Sequence, residues 1–243
     1  MENLEKNLIK SSLILGACFI IGLIVVSYTM FQIKEADNTL SVTGSAKQSV
    51  TADVVKWNSS FTRTVFTSNL KTGYAQMKQD EAIVSKFLKD NGITDTELTI
   101  SPVSMQIQYN YNKTVNTPDE YMLVQNVLVQ SNDIDKITNL SKNTQSVIDQ
   151  GVIFSASSPE YYYTKLPDAR ISLLPEAMKD AQKRAESIAQ STGKKVGNLK
   201  SASMGVVQVM QPNSVDISDY GNYDVSTINK DIMITVKASF SLR

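Results

Sequence analysis

The chain has 243 residues, with 24 Lys and Arg against 24 Asp and Glu, so no global field draws it toward nucleic acid or anionic lipid. It holds no histidine, and its single cysteine, Cys18, sits in an apolar run, so no internal disulfide forms and stability must come from packing. These absences exclude a Ser-His-Asp triad, a Cys-His pair and an ordinary zinc site. Carboxylate-only chemistry, Ser-Lys chemistry and oxygen-ligated calcium or magnesium stay open.

From Ser11 to Ile33 the chain passes 23 residues without a charge, between Lys10 and Lys34. As a helix this run is about 34 Å long, enough to cross a hydrocarbon core of about 30 Å. Leu13, Ile14, Leu15, Phe19, Ile20, Ile21, Leu23, Ile24, Val25, Val26 and Phe31 supply apolar surface on all sides. Three readings compete. A cleaved signal has an apolar region of about 7–15 residues before a small-residue site, for which Val25-Val26-Ser27 would serve. A lipobox would use Leu15-Gly16-Ala17-Cys18, but it needs the cysteine at the end of the apolar region, and here the run continues from Phe19 to Ile33. The length favours an uncleaved anchor. Residues 1–10 are then a short head, 11–33 a transmembrane helix, 34–49 a juxtamembrane segment with the first short strands, and 50–243 an α/β body. Lys6 and Lys10 against Glu2 and Glu5 favour an inside N-terminus slightly. A short head before an N-terminal span argues more strongly that the body is translocated.

In the polar segment Asn38 to Ser49, Thr43-Gly44-Ser45 reads as a turn or bulge between extended pieces. Val55, Trp57, Phe61 and Val65 then alternate with polar residues, a strand with one buried face and Trp57 as a core plug. Leu70, Tyr74, Met77, Val84, Phe87 and Leu88 recur at helical steps, and Gly92 stops that helix. Leu98 to Tyr111 reads as a strand whose apolar parity changes at Pro102, predicting a bulge there. Asn112 to Asp119 is a loop. Tyr121 to Gln130 is apolar on both faces, a strand inside a sheet.

Asp133 is the predicted N-cap of a helix with the stripe Ile134, Ile137, Leu140, Val147 and Ile148, ending at Gly151. Val152 to Thr164 reads extended. Leu174, Ala177, Met178, Ala181, Ala185, Ile188 and Ala189 form an alanine-rich helix stopped by Gly193, which Pro175 either starts or kinks. Val206 to Met210 is a strand, Pro212 to Thr227 a polar loop, and Ile228 to Leu242 the cleanest alternating strand. The order gives an α/β chain of the α+β kind. One transmembrane helix precedes two βαββ units joined by the Asp133–Gln150 helix, with helices packed on a mixed sheet.

LSVTGSAKQSVTADVVKWNSSFT resembles the opening of the SIMPL-domain family, and EAMKDAQKRAESIAQSTGKKVGN is similar to its helix motif. Ala177, Ala181, Arg184, Ala185, Ile188, Ala189, Gly193, Val196 and Gly197 fill the motif positions, and the resemblance runs over about residues 40–242. It implies a bacterial envelope protein with no established catalytic residues. Some family members assemble into large rings, and some are linked to oxidative-stress tolerance. Many relatives are read as secreted after cleavage; the long apolar run of this chain departs from that, and with the anchor reading the expectation is the inner membrane, with the N-terminus inside and the body periplasmic.

Candidate sites give way to simpler readings. Lys179, Lys183, Arg184, Lys194, Lys195 and Lys200 are interleaved with Asp180 and Glu186 and read as a solvated face, with no nucleic-acid partner. Asp216, Asp219, Gly221 and Asp224 miss the calcium-loop spacing. Tyr161, Tyr162 and Tyr163 alternate across a strand, suiting core or subunit contact better than ligand stacking. No catalytic, cofactor or metal residues are assigned. The expected function is a non-enzymatic assembly protein whose partners are the bilayer and copies of itself. The alternatives are an envelope ligand- or protein-binding module, and a carboxylate hydrolase if two acids converge in a cleft.

Overall fold

The alternation of β2 (Val54–Phe66) organises the larger part of the molecule, since it puts Val55, Trp57, Phe61 and Val65 on one face, all buried. The computed structural model describes residues 2–36, 38–108 and 120–243 and, within the first helix α1 (Glu2–Ala36), the side chains of 14–31. The described residues form two units. One comprises residues 47–172 and 207–233; the other comprises 1–46, 173–206 and 234–243. The α+β class is as expected. Where one mixed sheet was expected, however, the strands divide over two sheets.

In the larger unit, β2 pairs antiparallel with β5 (Glu120–Ser131) over twelve positions, from Val55 opposite Ser131 to Phe66 opposite Glu120. β5 is an inner strand, as its two apolar faces predicted. On its far side lie β3 (Leu98–Ile100) and β4 (Ser104–Gln108). Ile100 faces Val127 and Ser104 faces Val124, so four steps on one strand match three on the other. The slip at Pro102 is therefore the predicted bulge. Tyr109, Tyr111 and the loop from Asn112 to Asp119 lie outside the described residues.

The extended stretch after Val152 is two strands. β6 (Ile153–Ala156) and β7 (Glu160–Tyr162) both pair β2, and the break between them delivers the Ser157 carbonyl to the Trp57 indole N–H at 3.0 Å. The helix α2 (Leu70–Asp90) covers the sheet with Met77, Val84, Phe87 and Leu88. The predicted single helix after Asp133 is interrupted. The Asp133 carboxylate does accept from the Lys136 amide, but α3 (Ile134–Lys142) stops at Asn143, and α4 (Gln145–Ile148) is a separate turn. The Asn143 side chain donates to the Asn139 carbonyl, offering that carbonyl a local alternative to the helix ladder.

Three corrections concern the other sheet. Thr43-Gly44-Ser45 is no turn: β1 (Thr39–Thr51) runs unbroken through it. The alanine helix α5 (Leu166–Ser191) begins nine residues before Pro175, which therefore lies inside it. A strand absent from the sequence reading, β8 (Val196–Met204), pairs antiparallel with β11 (Asn229–Leu242). β9 (Gln208–Met210) pairs β11 further back, and the short β10 (Asn222–Tyr223), inside the predicted loop, pairs β9 in parallel. In the smaller unit Ala181 and Ala185 of α5 close on Val42, Ala238 and Phe240.

Candidate functional site

Two built features stand out, one in each unit. In the smaller unit, Met178, Gln182, Glu186 and Gln190 recur every four residues along α5, forming the ridge beside the buried alanines. With the turn residues Gly193, Lys194 and Lys195, the start of β8 (Val196, Gly197 and Leu199) and Phe240, they line an open groove of about 780 Å³. Its walls are mixed. Met178, Val196, Leu199 and Phe240 supply apolar surface, while Gln182 donates to Glu186 at 2.8 Å on the helix side. Among the described lining residues, Glu186 is the one acid, and Lys194 and Lys195 the bases. That set holds one carboxylate where the hydrolase alternative needs two converging in a cleft.

The turn that closes the groove is clipped to β1 and β11. Lys195 and Arg243 exchange backbone hydrogen bonds at 2.7 and 2.8 Å. Asn38 accepts the Leu242 amide at 2.9 Å, and its side-chain oxygen accepts Lys194 Nζ at 3.3 Å. Gly193 has a φ of 72°, the left-handed stop the sequence predicted.

In the larger unit, neighbouring residues at the start of β11 hold the two ends of the loop before it. Lys230 is fully buried, and its ammonium donates to the carbonyls of Asp224 and Thr227, both at 2.6 Å, and to the Asp224 carboxylate at 3.3 Å. Three donors thus meet three acceptors, which is what makes a buried ammonium tolerable. Burial pulls the Lys230 pKa down, against the Asp224 charge. Burial also pushes the Asp224 carboxyl up, but hydrogen bonds from Ser226 and Thr227 and the Lys230 charge leave it below the usual carboxylate range. On the opposite face, Asp231 accepts from Lys47 at 2.7 Å, Ser49 at 2.6 Å and the Asn213 amide at 3.2 Å. The Lys47 and Ser49 bonds hold its carboxyl below the usual range.

The sequence did carry a signal for Lys230. It shares strand parity with Ile228, Ile232 and Ile234, so a charge stands on the apolar face. Asp231 has the opposite parity, that of Asn229 and Thr235, and yet is 4% exposed because Lys47 and the loop cover it. The loop it secures carries Val215, Ile217 and Tyr220 exposed to solvent. Asp216 and Asp224 are engaged locally, with the Ser214 hydroxyl and with Lys230 respectively, and the acids form no metal-holding group among the described residues.

The remaining predicted residues divide by role. Ile14, Leu15, Phe19, Ile20, Ile21, Leu23, Ile24, Val25, Val26 and Phe31 are all exposed along α1, as is Cys18, while the Leu13 side chain lies outside the described residues. The span Ile14–Phe31 has a mean hydropathy of 2.3 and no part of it is buried, so one helix is apolar and long enough to cross a membrane or to act as a signal. Ala177, Ala181, Ala185 and Ala189 are buried, whereas Ile188 is exposed and Arg184 donates to Asp180 at 2.8 Å. Asp180 also accepts the Ser45 amide at 2.8 Å, and that bond is the main cause of its lowered pKa. Of the three tyrosines, Tyr161 is buried and shares a hydrogen bond with Thr138, and Tyr162 stacks on Tyr223 at 6.0 Å. The Glu160 carboxylate, which accepts the Tyr162 hydroxyl, pushes the Tyr162 pKa up to about 12. None of the three lines the groove.

No curated protein matches the chain. Among solved structures, an amidase of the hydantoinase/carbamoylase family from Burkholderia phymatum is similar at 10% identity and a TM-score of 0.26. That similarity covers 47% of this chain and 32% of the amidase. The SIMPL model, described as a protein of unknown function (DUF541), matches residues 40–240, which takes in β1, the alanine face of α5 and nearly all of β11. With the motif residues occupying those elements in that order, the chain belongs to the SIMPL family.

Proposed function

We propose that the protein is a membrane-anchored, non-enzymatic assembly protein of the bacterial envelope. In this reading α1 stays in the inner membrane with its N-terminus inside, and the body lies in the periplasm. Copies of the chain associate there into a large ring- or cage-like homo-oligomer, and the link to oxidative-stress tolerance follows from that assembly. The observation that carries the reading is the wholly unburied span Ile14–Phe31. At about 1.5 Å per residue it is roughly 27 Å long, near the thickness of a hydrocarbon core. In water so much exposed apolar surface would be a liability. Self-association is supported by the strand edges. From Asn198 to Met204 every residue of β8 is exposed, and β4 is exposed along its whole length, with Met105 and Ile107 outermost.

The test is to express the full chain, extract its membranes with carbonate, sequence the mature N-terminus, and measure the detergent-extracted particle by light scattering and imaging. Retention in the pellet with an intact N-terminus, and a particle of many subunits, is expected. A mature chain beginning near Tyr28 in the soluble fraction refutes the anchor, and a monomer at high concentration refutes the assembly. The groove favours a second reading, an envelope ligand-binding module of small oligomeric state. Native mass spectrometry showing a ligand retained on a monomer or dimer would select it.

A further inference from the structure

The clip around Asn38 has a consequence for where the groove lies. α1 stays helical from Phe31 to Ala36, about 8 Å of rise, and two Cα steps then reach Asn38, so Asn38 is at most about 15 Å from the end of the apolar span. Lys194 donates to the Asn38 side chain, Leu242 to its carbonyl, and Lys195 and Arg243 are bonded backbone to backbone. Three exposed cations, Lys194, Lys195 and Arg243, are therefore tied to the point where the chain leaves the apolar helix. Among the described residues no carboxylate is ion-paired with any of them. The nearby acids are Glu186 in the groove, bonded to Gln182, and Glu35 and Asp37 in the connecting segment, where Lys34 also lies.

We infer that the groove end of the smaller unit, with Lys194, Lys195 and Arg243, binds the headgroups of anionic phospholipids in the leaflet from which α1 emerges. This rests on the proposed anchoring of α1. The charge complementarity is local, since the whole chain is neutral. The headgroup layer takes up about 5–7 Å of the distance to Asn38, so the cations stand within about one Debye length, about 8–10 Å, of the anionic surface and feel its potential rather than being screened. The apolar residues of the groove, Met178, Val196, Leu199 and Phe240, then lie beside the interface. Two attachments, helix and basic patch, hold the smaller unit in one orientation on the membrane. Copies held that way present β8 at a common height, which helps them pair.

The experiment uses the full-length chain in nanodiscs with spin-labelled phosphatidylglycerol or phosphatidylcholine, read as the motionally restricted fraction by electron spin resonance. A two- to fivefold preference for phosphatidylglycerol is expected. It should fall to near unity in 0.5 M salt and in the triple variant K194E/K195E/R243E. The milder K194Q/K195Q/R243Q should lose most of the preference with an unchanged thermal midpoint, which separates lost binding from lost folding. Equal association of the two lipids with the wild-type chain, or a preference that survives both variants, overturns the inference while leaving the anchor intact. Inorganic phosphate at millimolar concentration that abolishes the preference at constant ionic strength would assign the patch to a free anion and also overturn it. A chain that washes out of membranes with carbonate fails the anchoring reading itself, and the inference with it.

Discussion

A side chain on Gly44 would collide with the backbone of Ala181. A Cβ built there stands 2.7 Å from Ala181 Cα and meets the Ala177 carbonyl and the Ala181 amide more closely still. β1 and α5 therefore approach at backbone distance, which is why the helix carries alanines at every fourth position from Ala177 to Ala189. The Ser45 amide, one residue on, closes the approach by donating to Asp180.

Filling that gap should cost stability, because neither backbone can yield without losing ladder or helix hydrogen bonds. Gly44→Ala is expected to destabilise the chain by about 1–3 kcal/mol, and Gly44→Val by more. Urea unfolding of the detergent-solubilised protein checks this. A Gly44→Val midpoint equal to wild type would show that strand and helix are not in such close approach.

Arg63 and Asp80 join β2 to α2 by two hydrogen bonds, Nε to Oδ2 at 2.7 Å and Nη2 to Oδ1 at 2.8 Å, and Asp80 is 2% exposed. Arg63 also donates to the Gly151 carbonyl. Removing one partner strands the other, so Asp80→Ala should cost about 3–5 kcal/mol. The double replacement Arg63→Met with Asp80→Leu should recover most of that loss. A double variant no better than the single one, compared by thermal melts, would argue against a desolvated pair.

Glu97 predicts the acid response. Its carboxylate accepts from Ser131, from the Thr94 amide and hydroxyl, and from Lys136 at 3.4 Å, and these bonds, Ser131 foremost, bring its pKa down to about 2. A carboxyl depressed in the folded state contributes stability that is complete above its unfolded value of about 4.3 and disappears as pH falls toward the folded value. Wild type should therefore exceed Glu97→Gln in melting temperature at pH 7. The difference should shrink between about pH 4.5 and pH 2. A difference constant across that range would sink the assignment.

Lys230 should control the loop rather than the core. Lys230→Met keeps most of the volume and removes three donors at the Asp224–Thr227 end. A charged hydrogen bond is worth about 1.5–3 kcal/mol, so hydrogen exchange of residues 211–227 should quicken by at least about tenfold. The amides of β2 and β5 should stay protected. Unchanged exchange in the loop would show that Asp231 alone holds it.

Local pattern went far in this sequence because apolar spacing encodes which face is buried. The parities of β2 and β11, the two apolar faces of β5, the slip at Pro102 and the Asp133 cap were all legible. Each depends on residues that are close in sequence. β8 was missed because from Asn198 to Met204 its side chains are exposed on both faces, so nothing in NLKSASM alternates. The break at Asn143 was missed because the apolar stripe continues in phase across it. The groove was illegible as well, being assembled from α5, β8 and β11 rather than from one segment.

By itself the sequence determined an apolar span able to cross a membrane, the family of the body, and the absence of histidine and thiol chemistry outside that span, because these follow from composition and order alone. The tertiary structure decided the division into two sheets, the unbroken passage of β1 through Gly44, the satisfaction of buried Lys230 and the gathering of Lys194, Lys195 and Arg243 beside Asn38. Those outcomes depend on which distant backbone supplies the hydrogen-bond partner, and periodicity along one strand or helix carries no record of that.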